Sequence, residues 1–196
     1  MEALQSIDKE IVLWLNQWAG RYALLDKVER LIVSDYFIPV LAALFLVFVW
    51  FAGRDARQRD AHQRAVLRAL IAVGFANLTV LILNQHYFRE RPFVEYELTL
   101  LFYPPTDSSF PANPAAVTFA MASGMWQGSR KLGAFLYGLA ALWGLSRIYA
   151  GVFYPSDVVA GALIGVAISY LVAVGLRLIE PLPTLVLRGA RTLHLA

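Results

Sequence analysis

Five long runs of this chain carry no charged residue: residues 36–53, 69–88, 108–129, 132–146 and 158–176. A helix that crosses the hydrocarbon core of a bilayer needs about 20 mostly apolar residues, within a range of roughly 17–25. Four runs meet that length directly. The fourth in order, 132–146, reaches it at Tyr149 if Arg147 lies at the interface or faces the bundle interior. The pattern therefore predicts five transmembrane helices. Ahead of them the pattern changes: Ile7, Ile11, Leu15 and Trp18 recur at helical spacing, as do Trp14 and Leu25, between Asp8, Lys9, Glu10, Asn16 and Arg21. Such an amphipathic helix suits the membrane interface; the alternative is a sixth, weakly apolar span packed on the bundle.

The expected fold is an all-α integral membrane protein forming one domain over residues 1–196. It comprises an amphipathic N-terminal segment (1–35), a five-helix transmembrane core (36–179) and a tail (180–196). Composition agrees. The chain is 59% hydrophobic and only 16% charged, with a mean hydropathy of +0.57, whereas a soluble domain carries about 25% charged residues. There is no cysteine, so neither disulfides nor thiolate chemistry is available. A net charge of +3 with unclustered basic residues argues against a nucleic-acid groove. Glu2, Asp8 and Glu10 stand where a secretory signal would carry bases, so no cleaved leader is expected.

Charge also orients the chain. The loop after the first span, the turn Arg130–Lys131 and the tail from Arg177, which includes Arg188 and Arg191, hold ten basic residues against three acids. The other side holds seven basic residues and eleven acids. Positive loops mark the cytoplasmic face. This places the C-terminus, His62 and His194 in the cytoplasm, and the N-terminus with loops 89–110 and 150–156 outside a plasma (inner) membrane. The 89–110 connection is long, and loops of that length within a compact domain are usually functional.

Three features gather at that outer face. Arg91–Pro92 follows the second span, Ser109-Phe110-Pro111-Ala112-Asn113-Pro114 opens the third, and Ser146–Arg147 with Tyr154-Pro155-Ser156-Asp157 connects the fourth to the fifth. Arginines beside a helix N-terminus suit an anionic head group, because the guanidinium fork binds phosphate bidentately and the helix end adds positive potential. Asn113 can cap the third span, and Ser156 or Asp157 the fifth. Asp157 could instead pair with Arg147, and either arginine could simply snorkel to the head groups. Arg89 and Tyr87 could join the site or be exposed. The spacing Gly161-x3-Gly165 fits close helix packing, within the bundle or across a homodimer. No His/Asp/Glu cluster shows metal-ligand spacing, so no metal or cofactor is expected.

The order and gaps of these motifs resemble the type 2 phosphatidic acid phosphatase superfamily, in its bacterial polyprenyl-diphosphate phosphatase branch. That family's signature runs Lys-x6-Arg-Pro, Pro-Ser-Gly-His and Ser-Arg-x5-His-x3-Asp. Arg91, Pro92, Pro111, Ser146, Arg147 and Asp157 match it, and the resemblance implies a phosphatidic acid phosphatase type 2 / haloperoxidase-like helical bundle. Departures fall on the chemistry. Asn84 stands at the lysine, Ala112, Asn113 and Pro114 at Ser-Gly-His, and Phe153 at the second histidine. In the family the latter histidine attacks phosphorus and the former protonates the leaving lipid oxygen. Phenylalanine offers no lone pair, and proline lacks even a backbone N–H. A step of seven would place Asn84 and Arg91 on nearly one helical face, with His86 about 140° away from Arg91, so His86 is no substitute.

The resemblance therefore implies no catalytic residue, and a site for lipid phosphate at Asn84, Arg91, Asn113, Ser146, Arg147 and Asp157. The leading expectation is a catalytically degenerate protein that binds a phosphorylated lipid, a polyprenyl phosphate or a phospholipid, at its extracytoplasmic face for presentation or transport. Two alternatives stand beside it: an active lipid phosphate or diphosphate phosphatase with rewired residues, and a structural subunit of a membrane complex.

Overall fold

A computed structural model describes residues 2–192, without the side chains of Glu2 and Arg191. His194 and the Arg191 side chain, both assigned above to the cytoplasmic side, lie outside the described residues. The regular elements among the described residues are all helices: α1 (Glu2–Asn16), α2 (Ala23–Ile32), α3 (Phe37–Phe51), α4 (Ala56–His86), α5 (Pro92–Glu95), α6 (Asn113–Trp126), α7 (Arg130–Tyr149), α8 (Pro155–Leu178) and α9 (Leu182–Thr192).

Helices α4, α7 and α8 are each long and apolar enough to cross a bilayer. The run at 36–53 behaves differently from a plain span. Its helix α3 is only 15 residues, and together with α2 it forms a fourth candidate span bent by 49°. Ser34 bridges the break, donating to the Leu31 carbonyl at 2.7 Å and accepting from the Phe37 N–H at 3.1 Å. The run at 108–129 is shortened at both ends, before Asn113 and after Trp126, so α6 has 14 residues. At 1.5 Å per residue that is about 21 Å, short of a hydrocarbon core of about 30 Å. Helix α6 is instead the centre of the bundle, enclosed by α4, α7 and α8.

Small residues let α6 occupy that place. Ala115, Ala116, Ala120, Ala122, Ser123 and Gly124 are buried on nearly every side of it. A Cβ on Gly161 would lie 2.3 Å from the Ala112 carbonyl oxygen, and one on Gly165 would lie 2.2 Å from that of Ala116. The small-x3-small pair thus packs α8 onto α6 within one chain. A Cβ on Gly124 would meet the Ala69 backbone of α4 at 2.6 Å. In a bilayer, where lipid tails are as apolar as leucine, such close backbone approach is a main source of helix association. Outward, Leu44, Phe48, Leu163 and Leu171 are exposed, as side chains facing lipid should be.

The amphipathic N-terminal segment has a second face with its own task. Leu4, Ile7, Ile11 and Trp14 point away from the bundle, while Asp8, Val12 and Asn16 are buried against it. Asn16 anchors the segment: its side chain donates to the Thr99 and Tyr149 carbonyls at 3.0 and 2.9 Å, and accepts from the Thr99 N–H at 2.8 Å. The tail residues form α9, tied to α4 through Arg64.

Adding a methyl at Gly165 should force α8 off the Ala116 carbonyl. We expect Gly165→Ala to destabilise the protein by roughly 1–3 kcal/mol, as overpacking does. Gly138→Ala, where a Cβ would meet nothing within 4 Å, should leave the melting temperature in detergent unchanged or slightly raised. Equal responses would show that the two helices are not in contact.

Candidate functional site

Helix α4 ends at His86, where Tyr87 turns extended (φ −137°, ψ 115°), and Arg91 precedes α5, also extended. The seven-residue helical step from Asn84 to Arg91 therefore does not exist. Even so, the turn returns Arg91 to the same cavity as Asn84. That cavity, of about 220 Å³, is lined by Asp35, Asn84, Arg91, Tyr103, Asp107, Asn113, Pro114, Arg147 and Phe153, among others. Four of the six expected site residues meet here: Asn84, Arg91, Asn113 and Arg147. Ser146 and Asp157 lie apart from it.

Both arginines are almost wholly buried, 4% exposed for Arg91 and 3% for Arg147. Arg91 is held from four directions. Its Nε donates to the Asp107 carbonyl at 3.0 Å, and its Nη1 to the Val152 carbonyl at 3.1 Å. Its Nη2 donates to Asp107 Oδ1 at 2.8 Å and to the Ser108 carbonyl at 3.3 Å. The guanidinium also lies 4.3 Å from the centre of the Phe153 ring, a cation–π contact. Burial lowers its pKa and Asp107 opposes that, yet an arginine stays charged in a protein. Arg147, in the last turn of α7, donates through Nη2 to Asp35 Oδ1 and stacks 4.2 Å from Phe102 and 4.9 Å from Trp143. Its Nε is buried with no hydrogen-bond partner, as are Oδ1 of Asn84 and of Asn113.

The carboxylates came from segments that carried no motif. Asp35 lies in the break between α2 and α3, where it also accepts from the Tyr103 hydroxyl at 2.9 Å. Asp107 lies in the long loop. Both acids are open to solvent, with side chains 41% and 67% exposed, whereas the arginines they neutralise are not.

Asn113 is the first residue of α6 and does not cap it; Ala112 holds the cap position with no side-chain bond. Its amide donates instead to Asn77 Oδ1 at 2.9 Å. Asp157 does not pair with Arg147. It is the third residue of α8, accepts from the Tyr154 N–H at 3.1 Å and from the Ser109 hydroxyl, and pairs with Arg89 at 2.6 Å. Arg89 reaches on to Asp8 at 2.9 Å, and Asp8 accepts from the N–H and the hydroxyl of Ser156. Burial works against the Arg89 charge, but the two acids outweigh it and its pKa is raised. This cluster clamps α1 onto the start of α8 and lies outside the cavity. Tyr87 is exposed, its ring edge against Phe110. Ser146 donates to the Trp143 carbonyl inside α7. His86 is exposed on α4, bonded to the Ile82 carbonyl, and takes no part in the site.

Residues 65–178 match the PAP2 superfamily. The chain belongs to that superfamily. Among similar proteins, the undecaprenyl-diphosphatase BcrC of Bacillus subtilis is 30% identical over 180 residues, spanning 91% of this chain and 89% of its own. An undecaprenyl-diphosphatase of Sulfolobus acidocaldarius is 33% identical over 180 residues, spanning 87% and 75%. The fold of the PAP2 type phosphatidylglycerolphosphate phosphatase from Bacillus subtilis superposes with a TM-score of 0.65 at 22% identity, over 93% of this chain and 90% of that one. Aquifex aeolicus LpxE gives 0.63 at 28% identity, over 84% and 93%. This chain is therefore a lipid-phosphatase-like membrane protein.

The Asp8–Arg89–Asp157 clamp yields a prediction. Asp8→Ala leaves Arg89 with Asp157 as its one carboxylate, beside the Ser156 hydroxyl, and strips the Ser156 N–H of its acceptor. Removing one member of a buried ion pair costs about 3–5 kcal/mol, and since Asp157 still holds Arg89 the low end, about 3 kcal/mol, is expected. The readout is thermal unfolding in detergent, with Glu10→Ala, an exposed neighbour on α1, as the comparison.

Proposed function

We propose that this chain is a catalytically silent PAP2 protein that holds the phosphate end of a membrane lipid, a polyprenyl phosphate or a phospholipid, between Arg91 and Arg147. One observation carries the reading: two buried guanidinium groups converge on a single cavity whose wall also includes Pro114 and Phe153. Those two residues stand where the family motif has its histidines. Neither can attack phosphorus or protonate a leaving oxygen, so binding is what the site retains.

The charge balance sets how such binding works. Arg91 and Arg147 are already paired with Asp107 and Asp35, and the pocket is neutral as it stands. Both acids are substantially hydrated while the arginines are buried, so the acids are the exchangeable partners. A phosphate takes their place and each carboxylate swings to water, where leaving costs little. Arg147 Nε supplies a donor with no competing partner, and the amide oxygens of Asn84 and Asn113 can accept from a lipid hydroxyl. The charge pattern of the loops supports an extracytoplasmic position for this end of the bundle, which suits presentation or transport of a lipid from the outer leaflet.

A second reading, a structural subunit of a membrane complex, draws support from the same pairs, since an arginine with its own carboxylate needs no ligand. A third, a rewired phosphatase, draws on the names of the relatives. Phosphate release from undecaprenyl diphosphate and phosphatidic acid should be absent for the native chain, and detectable, if at all, only after Asn84→Lys, Pro114→His and Phe153→His together. Turnover by the native chain would establish the third reading. Lipid phosphate recovered with the purified protein should fall at least tenfold in the Arg91→Gln, Arg147→Gln double variant; undiminished lipid would leave the structural role.

A further inference from the structure

At the opposite end of the bundle lies a second cavity, of about 310 Å³, between α4, α8 and α9. Its walls are apolar, formed by Leu67 and Ile71 of α4, Leu176 of α8, and Leu182 and Val186 of α9. Three arginines stand at it: Arg64, Arg68 and Arg177. They are not equivalent. Arg64 is fully engaged, with Nε on Asp60 at 2.8 Å, Nη1 on Glu180 at 3.1 Å and Nη2 on the Thr184 hydroxyl at 3.0 Å. Arg68 and Arg177 have no hydrogen bond or ion pair with any described residue, and Arg68 Nε is buried without a partner. Arg64 and Arg177 also act on Arg68 repulsively.

Arg68, half-buried with its Nε unpartnered, loses hydration and is repelled by the exposed Arg177 at the cavity rim, and an anion shared between them relieves both costs. Two facts narrow the anion. The walls are hydrocarbon, which suits acyl chains and not a hydrated ion. The cavity also lies where α4 and α8, two membrane-crossing helices, emerge beside the amphipathic α9, whose Leu182, Leu185 and Val186 are exposed. Basic pockets between transmembrane helices are where anionic phospholipid head groups bind.

We propose that this cavity is a binding site for an anionic glycerophospholipid, its phosphate bridging Arg68 and Arg177 and an acyl chain lying along Leu67, Ile71 and Leu176. In that position the lipid joins α9 to α4 and α8, adding to the bonds of Arg64 to Glu180 and Thr184 and to the burial of Leu187. It is a site for the lipid of the opposite leaflet and does not depend on the Arg91–Arg147 cavity.

The test uses the full chain in a neutral detergent, titrated with phosphatidylglycerol, phosphatidylcholine and inorganic phosphate while thermal unfolding is followed. Phosphatidylglycerol should raise the melting temperature by several degrees in a saturable manner, as a ligand of the folded state does; the other two should not. The gain should vanish in Arg68→Gln, Arg177→Gln. If inorganic phosphate or phosphatidylcholine served as well, or if the double variant kept the gain, the proposal would be overturned. A photoreactive phosphatidylglycerol on the unaltered chain guards against a variant that fails to fold. Labelling within residues 176–188 is expected, and labelling confined to the Arg91–Arg147 end would overturn the site while leaving the first cavity's function open to its own test.

Discussion

Where Gly161 and Gly165 of α8 lie against the carbonyls of Ala112 and Ala116, two helices touch backbone to backbone, and the placing of the site follows from that contact. A helix of 14 residues cannot span a bilayer alone, so α6 holds its position only by being enclosed. Its alanines and its Gly124 let α4, α7 and α8 close around it. Because α6 begins at Asn113, the same enclosure fixes Pro111, Asn113 and Pro114 at the mouth of the bundle, facing Arg91 and Arg147. Small residues at the centre thus set the position of charged residues at the end.

Those charges are handled by one rule. At the site end each arginine deep in the protein has a carboxylate brought from a distant part of the chain: Asp8 and Asp157 for Arg89, Asp107 for Arg91, Asp35 for Arg147. An unpaired charge near the membrane is costly, and pairing keeps it ionised. The pairs differ in how they can be broken. Asp157 and Asp8 are buried with their arginine, and that cluster is a permanent clamp between α1 and α8. Asp35 and Asp107 reach water, and the proposed exchange of partners rests on that. At the other end Arg68, half-buried, has no carboxylate among the described residues, and the lipid site proposed there rests on that difference.

Membership of the PAP2 superfamily fixes the scaffold and leaves the chemistry open, since activity resides in a few side chains grafted on a fold. Phe153 illustrates the point. Its ring offers no nucleophile and makes a cation–π contact with Arg91 that helps orient the guanidinium. On the reading proposed above, the cavity keeps its cations without the groups that would cut a phosphate bond.

Much of this was legible in the residues alone. Membrane character, the helical class, the amphipathic start of the chain and the pairing of Arg91 with Arg147 at one end follow from local hydropathy and motif spacing, which are properties of neighbouring residues. The burial of Asp8 was also latent there, since Asp8, Val12 and Asn16 recur every four residues, but the more conspicuous apolar face of α1 masks that stripe. Other features could not be read in advance. That α6 is a short enclosed helix, that Asp157 chooses Arg89 over Arg147, and that Asp35 and Asp107 neutralise the cavity all depend on contacts between segments tens of residues apart. Composition and periodicity determined that this chain enters a membrane as helices with arginines at one mouth; tertiary structure alone decided which carboxylate each arginine meets, because an ion pair is set by distance in space and sequence patterns report only distance along the chain.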